Sequence, residues 1–443
     1  MINKASKKDI IWGYLAQFLN IGSGIIILPV AIKLLSAEDM GLWYLFMAIA
    51  GFVQLLEFGI QPTISRMTSY IYAGALELLS EGLPKISNNI DYQLLYDLIS
   101  AAKKMYLYVS VVAAFILLLL GTLYLDSFKE FKQSQMIAWC IFSSSTVINL
   151  YFTYFNGLLS GRGNQTDSYR IIAISKLLML IITIPLLWFD WGLLSMSVGT
   201  LASVVLSRIL YHRTFYNSDR DDIRELNKLK GVAENLVNTI WLSAWKLGVT
   251  SFGGFMILKV NTFVASSYLG LKVAASYGLT IQVVGLIYAV SNMLFVLSLP
   301  KMNVLQSQNK KSELKRFFVK INIYTQVMFL VGSLLLLTFG SYFLSILSPN
   351  ITLLATPILL LILATYQLEL NHAVCATYLT TLNKVPFLNA SLISGFSIFG
   401  SSVYLMNNTN LGILGLVVSQ FLVQALYNNW YWPREVYKSL YGK

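Results

Sequence analysis

Gln54-Leu55-Leu56-Glu57-Phe58-Gly59-Ile60-Gln61-Pro62-Thr63-Ile64-Ser65-Arg66 closes an otherwise apolar run that begins near Gly41. It holds a carboxylate, a guanidinium and two amides, with a glycine and a proline between them. A charged side chain near the centre of a bilayer costs roughly 2.5–3.5 kcal/mol on insertion scales, so such groups face protein or water and mark function. The fold therefore turns on whether this run spans a membrane.

The composition answers that. The chain has 443 residues, of which 56% are hydrophobic and 12% charged. A soluble domain carries about 25% charged residues. Half that charge, with repeated apolar runs near 20 residues, describes a polytopic membrane protein. Runs such as Val111 to Gly121 do not alternate, so strands of a β-barrel are excluded in favour of helices. The 14% aromatic content suits rings at membrane interfaces. The net charge of +12 reads as lysine and arginine in cytoplasmic loops rather than as a nucleic-acid surface. Cys140 and Cys375 both lie inside apolar runs and read as buried thiols, not a disulfide. His212 and His372 are the only histidines, no metal-ligand spacing occurs, and neither a metal nor a cofactor is expected. Three lysines by Lys8 precede a long apolar run with no small-residue cleavage pattern, which reads as an uncleaved first helix.

Twelve helical spans follow, at about 10–34, 42–65, 104–125, 136–158, 171–189, 193–211, 241–268, 277–299, 319–347, 353–379, 386–406 and 411–432. With the N-terminus inside, 25 lysines and arginines fall on inner segments against four on outer ones, which predicts cytoplasmic termini. The inner loops near 67–103 and 212–240 carry amphipathic stretches, Tyr92 to Ile99 among them, expected on the inner membrane surface or between lobes. The charged segment Asp219 to Gly231 divides the chain into a lobe of helices 1–6 (1–215), a cytoplasmic linker (216–240) and a lobe of helices 7–12 (241–443). Two halves of six spans enter the membrane in the same direction, so repeats would share a pseudo-twofold axis along the membrane normal. Gly41-Leu42 recurs at Gly278-Leu279, and Pro62 at Pro300.

Polar residues recur at helical spacing within the spans. Gln54, Glu57, Gln61 and Ser65 share one face of span 2, with Arg66 on the opposite side near the inner mouth. Gly59, Pro62 and Pro300 are the expected hinges. Span 1 offers Asn20; span 4 offers Thr146, Asn149, Thr153 and Asn156; span 7 offers Lys259 near mid-depth and Lys246 nearer the inner end. Glu369 and His372 lie one turn apart on span 10, and with Glu57 they are the candidates for a coupling ion. Amides and hydroxyls in membrane helices also serve simply to join helices, and lysines near helix ends reach out to the interface.

Several segments resemble the polysaccharide flippases of the multidrug/oligosaccharidyl-lipid/polysaccharide (MOP) exporter superfamily, the O-antigen (Wzx-type) translocases above all. The likeness rests on Leu34-Leu35-Ser36-Ala37-Glu38-Asp39-Met40-Gly41 in the first outer loop, on Glu57-Phe58-Gly59 followed by Arg66, and on a Gly-rich inner turn at Gly157-Leu158-Leu159-Ser160-Gly161-Arg162-Gly163. The resemblance implies an all-α integral membrane protein whose two six-helix lobes form a V, as in MATE transporters. It also implies a flippase of the bacterial cytoplasmic (inner) membrane. This would move an undecaprenyl-diphosphate-linked oligosaccharide, an O-antigen or related repeat unit of lipopolysaccharide biosynthesis, from the inner to the outer leaflet by alternating access. Lys259, Arg66 and Lys246 would then meet the diphosphate, and Gln54, Gln61, Asn149, Asn156 and Asn20 the sugars. H+ or Na+ would be the coupling ion, and other polysaccharide assembly proteins the partners.

The alternative is an ion-coupled small-molecule or drug exporter of the same superfamily. A membrane glycosyl-transfer enzyme needs catalytic groups outside, yet the longest outer loop, Asp126 to Gln135, holds no general acid/base pair. An enzyme is therefore not expected.

Overall fold

A computed structural model describes residues 7–79, 84–85, 87, 89–126, 132–217, 221–229, 236–307, 310–347, 352–381 and 387–441. Helices dominate it, and no strand occurs among these residues. In chain order they are α1 (Lys7–Leu34), α2 (Ala37–Gln54), α3 (Ile60–Tyr72), α4 (Tyr92–Phe115), α5 (Thr122–Asp126), α6 (Gln133–Tyr151), α7 (Tyr154–Gly161), α8 (Gln165–Trp188) and α9 (Leu193–Phe215). Then come α10 (Asp221–Lys228), α11 (Val237–Leu269), α12 (Leu271–Ser307), α13 (Lys311–Leu347), α14 (Thr356–Thr381), α15 (Leu388–Asn408), α16 (Ile413–Leu426) and α17 (Asn428–Tyr441).

Ten helical segments among the described residues are long and apolar enough to cross a bilayer. The two remaining expected spans coincide with α1 and with α16 running into α17. The lipid-facing character is visible in what stays exposed. Leu118, Leu119, Leu120 and Leu123 form one bare strip, and Leu330, Val331, Leu334 and Leu335 on α13 another. Surfaces this apolar belong against acyl chains.

The chain divides into two compact units. Unit 1 comprises 1–35 and 49–251; unit 2 comprises 36–48 and 252–443. Of the three boundaries, two fall inside the continuous helices α2 and α11 and one between α1 and α2.

In unit 1, α1 packs on α8, α8 and α6 on α9, α4 on α6, and α3 on α7. Two expected features differ here. The Tyr92 to Ile99 stretch is no separate surface helix: Asp91 accepts from the Leu94 amide at 3.0 Å, starting α4, which runs on without a break to Phe115. Leu94, Leu95 and Leu98 are buried. The Gly-rich segment at 157–163 is likewise mostly helix, because Gly157 and Gly161 lie one turn apart on α7 against α3. A Cβ on Gly157 would fall 2.9 Å from the Gln61 carbonyl oxygen, and one on Gly161 would collide with the Ser65 carbonyl oxygen and Thr68. Small residues at this spacing let two membrane helices approach closely.

In unit 2, α12 packs on α13 and α14, α14 on α16 and α17, and α15 on α16. One apolar core gathers Tyr277, Phe329, Tyr366 and Leu416; a second gathers Phe295, Phe318, Tyr378 and Trp432. The recurrent glycines meet across one helix pair. Gly41 lies against the Leu271 backbone, and Gly278 against the Tyr44 ring. Ser36 caps α2 by accepting from the Asp39 amide at 3.1 Å, and Glu38 in the first turn pairs with Lys272 at 3.0 Å. The Leu34–Gly41 motif is thus a helix start rather than an open loop. Cys375 is buried; Cys140, expected buried, lies exposed on α6.

Candidate functional site

Two of the long spans in unit 1 are broken, and the polar residues gather at the breaks. Span 2 stops at a 3-10 turn, Leu55–Glu57, followed by Phe58 at φ 46° and Gly59 at φ 71°. Both are left-handed, a conformation that glycine adopts freely and phenylalanine does not. The shared face expected for Gln54, Glu57, Gln61 and Ser65 assumed an unbroken helix, and this turn interrupts it: Gln54 is exposed, Glu57 and Gln61 half-buried. The break leaves the first amides of α3 without intrahelical partners. Thr63 donates back to the Gly59 carbonyl at 3.3 Å, Pro62 has no N–H to satisfy, and the Gln61 amide donates to the Glu57 side chain. A carboxylate therefore sits at the positive end of a helix dipole. Its Oε1 also accepts from the Tyr106 hydroxyl of α4 at 2.8 Å.

Span 4 breaks between α6 and α7, at Phe152 and Thr153. Here the exposed group is a carbonyl, and a cation answers it. Arg208 of α9 donates from one terminal nitrogen to the Phe152 carbonyl at 3.2 Å and to Asn156 Oδ1 at 2.8 Å, and from the other to Asn149 Oδ1 at 2.5 Å. Arg208 is 8% exposed. Its Nε has no hydrogen-bond partner, and among the described residues it makes no direct ion pair with a carboxylate. Glu57 interacts with it electrostatically from beyond that range. The Tyr106 ring lies 6.2 Å from that of Tyr154, next to the second break.

The arrangement is an anion at one helix N-terminus and a cation at another helix's C-terminal break. Three residues expected from the sequence, Glu57, Asn149 and Asn156, belong to it. Two others, Tyr106 and Arg208, were not expected. Arg208 stands near the end of the 193–211 span and falls among the inner-side cations of the charge count. Its signal was available in being a guanidinium inside an apolar window. Tyr106 looks like any interfacial aromatic, and nothing local marks it.

The remaining expected residues lie elsewhere. Arg66 is exposed on α3. Thr146 and Thr153 bond back to the carbonyls of Phe142 and Asn149, which leaves them satisfied within their own helix. In unit 2, Lys259 is exposed on α11. Glu369 and His372 meet there, with Nδ1 3.2 Å from Oε1. Glu369 is buried and its Oε2 has no hydrogen-bond partner among the described residues; on the same helix, Asn371 and Gln367 join Asn322 and Gln326 in a chain of amides. The side chains of Asn20, Lys246 and Pro300 lie outside the described residues.

A second charged cluster at the far end of α7 holds α10. Arg162 pairs with Asp222 of α10 at 3.0 Å, Tyr72 donates to the same carboxylate at 2.6 Å, and Arg162 donates to Tyr72 at 2.9 Å and to the Phe215 carbonyl at 3.1 Å.

No family model matches the sequence, and no curated protein matches it significantly. Solved structures do match in fold. A multidrug resistance MATE family transporter of the MOP superfamily in its inward-facing conformation aligns over 99% of this chain and 100% of its own, with TM-score 0.68 and 13% identity. An outward-facing structure of the same description aligns over 100% and 98%, with TM-score 0.62 and 12% identity. A MOP superfamily transporter from Pyrococcus furiosus, described as having a binding pocket of reverse polarity, aligns over 99% and 100%, with TM-score 0.57 and 11% identity. The chain has the MATE-type fold along its whole length.

Proposed function

We propose that the protein is a membrane transporter of this fold that moves an undecaprenyl-diphosphate-linked oligosaccharide from the inner to the outer leaflet of the bacterial inner membrane by alternating access. The observation that carries the reading is Arg208, a buried guanidinium at a helix break with no direct carboxylate partner among the described residues. Discontinuous helices with charged termini are where transporters of several folds hold substrates and ions. A diphosphate gains most from a cation where water is scarce, and the lipid tail can stay in the bilayer. Asn149 and Asn156 orient Arg208. Arg66, Lys246 and Lys259 are further proposed contacts for the diphosphate, and Gln54, Gln61 and Asn20 for sugar hydroxyls. Gly59 and Pro62, at the first break, and Pro300 are proposed hinges. Lobes 1–215 and 241–443 with a 216–240 linker, and cytoplasmic termini, complete the proposal.

The second reading, an ion-coupled exporter of small molecules, is favoured by Glu369, whose carboxylate and the His372 ring form a pair able to exchange a cation. The multidrug description of the matched structures points the same way. Deleting the gene separates the two. Loss of surface polysaccharide, with lipid-linked oligosaccharide accumulating in the inner leaflet, supports the flippase. Increased drug sensitivity with normal polysaccharide supports the exporter.

A further inference from the structure

An exposed apolar side of unit 1 carries a groove that shares Arg208 with the transport reading. It encloses about 280 Å³ between the end of α6 and the last turns of α9. Ile148 and Phe152 form one wall, and Val205 and Ile209 the other. Val205 and Ile209 are well exposed, and four residues apart on one helix they present a continuous apolar strip. At one end the groove turns basic: Arg208 lies at its base, and His212 and Arg213 stand exposed at its rim.

Neither arginine makes a direct ion pair among the described residues. Arg213 makes no ion pair or side-chain hydrogen bond among the described residues. Arg208 is more than nine-tenths buried, its Nε is unbonded, and its terminal nitrogens are held by neutral oxygens. Glu57, which interacts with it at longer range, is engaged by Tyr106 and the Gln61 amide. A buried cation with only neutral partners creates a positive field that a nearby anion relieves. Arg213 alone would be explained by its place in the last turn of a helix, where cations are favoured, or by reaching for the interface. Arg208, which answers the break between α6 and α7, lies buried beneath the same end of the groove and adds its charge there.

We propose that this groove binds one anionic phospholipid, with an acyl chain along Ile148, Phe152, Val205 and Ile209 and the phosphate held by Arg213 and His212 in the field of Arg208. Arg213 supplies a planar fork suited to a phosphate, and the imidazole donates one N–H in either neutral tautomer. The ligand is a resident of the surrounding bilayer rather than a soluble anion, because the basic end opens into an apolar trough.

Native mass spectrometry of the full chain, released from detergent with phosphatidylglycerol or phosphatidylcholine of equal chain length, tests this. The expected result is one retained phosphatidylglycerol, favoured over phosphatidylcholine by about tenfold, the scale of one charge-assisted contact. Arg213→Ala should bring the two lipids to parity, and Arg213→Lys should keep most of the preference. Val205→Trp, which fills the trough, should lower retention of both lipids. A monodisperse elution profile for each variant separates lost binding from lost folding. Equal retention of the two lipids by the unmodified protein would overturn the proposal. So would a preference that survives Arg213→Ala, or displacement of the lipid by inorganic phosphate, which would mark a soluble-anion site instead.

Discussion

The Tyr106 hydroxyl donates to the Glu57 carboxylate at 2.8 Å, tying α4 to the interruption that ends α2. The bond adds a second donor to a carboxylate already occupied by an α3 amide. Tyr106→Phe removes it without changing the ring. A hydrogen bond to a charged group is worth about 1.5–3 kcal/mol, so the variant should melt several degrees lower in detergent. Glu57→Gln keeps the shape but removes the charge, and should lower transport by at least about tenfold while the protein still inserts.

Arg208 and Asn149 should prove energetically coupled. Each single change to alanine strips partners from the other, so their losses will not add. A double-mutant cycle on thermal stability should return a coupling of about 1–3 kcal/mol. Arg208→Lys should recover little, because a lysine cannot span Phe152, Asn149 and Asn156 with one planar fork. Additive losses would mean that the two side chains act separately.

Gly161→Leu should separate α7 from α3. The new side chain would have to enter space held by the Ser65 carbonyl and Thr68. Overpacking of this kind costs about 1–3 kcal/mol, and backbone cannot rotate aside as a side chain can. The same substitution at Gly163, where no atom stands within 4 Å of the Cβ position, meets no such neighbour. Its cost should come only from the positive φ of 89°. Comparing melting temperatures of the two variants checks this.

Asp222→Ala should release α10. The Arg162 side chain is 1% exposed and would be left buried without its carboxylate. Breaking one partner of a buried pair costs about 3–5 kcal/mol. Hydrogen exchange should accelerate across Asp221–Lys228, while the amides of α6 and α9 stay protected. Unchanged exchange would show that the cluster does not hold α10.

Much of this architecture was legible in the sequence, and for physical reasons. Runs such as Val111 to Gly121 have one stable answer in lipid, so span number and class follow from composition. The Leu34–Gly41 motif and the glycines at 41 and 278 were visible as patterns, although their part in capping and close packing was not. Helical periodicity placed Asn149 and Asn156 on one face of a straight helix. It could not show that the helix breaks between them, because Phe152 and Thr153 carry no breaker residue and the break is answered by Arg208 from another span. The interruption at Phe58 and Gly59 was signalled by the glycine and by Pro62. Its consequence, a carboxylate turned onto the start of α3, was hidden by the assumption of 100° per residue. Long-range partners such as Tyr106 leave no trace in local spacing.

Liposomes reconstituted with the protein and an undecaprenyl-diphosphate-linked oligosaccharide report flipping directly, through enzymatic accessibility of the glycan on the opposite leaflet. The unmodified protein should move it, Arg208→Ala should be slower by at least about tenfold at equal reconstitution, and a fluorescent multidrug substrate should not be transported. No movement of the glycan by a monodisperse, reconstituted protein that carries the drug across instead would contradict the account.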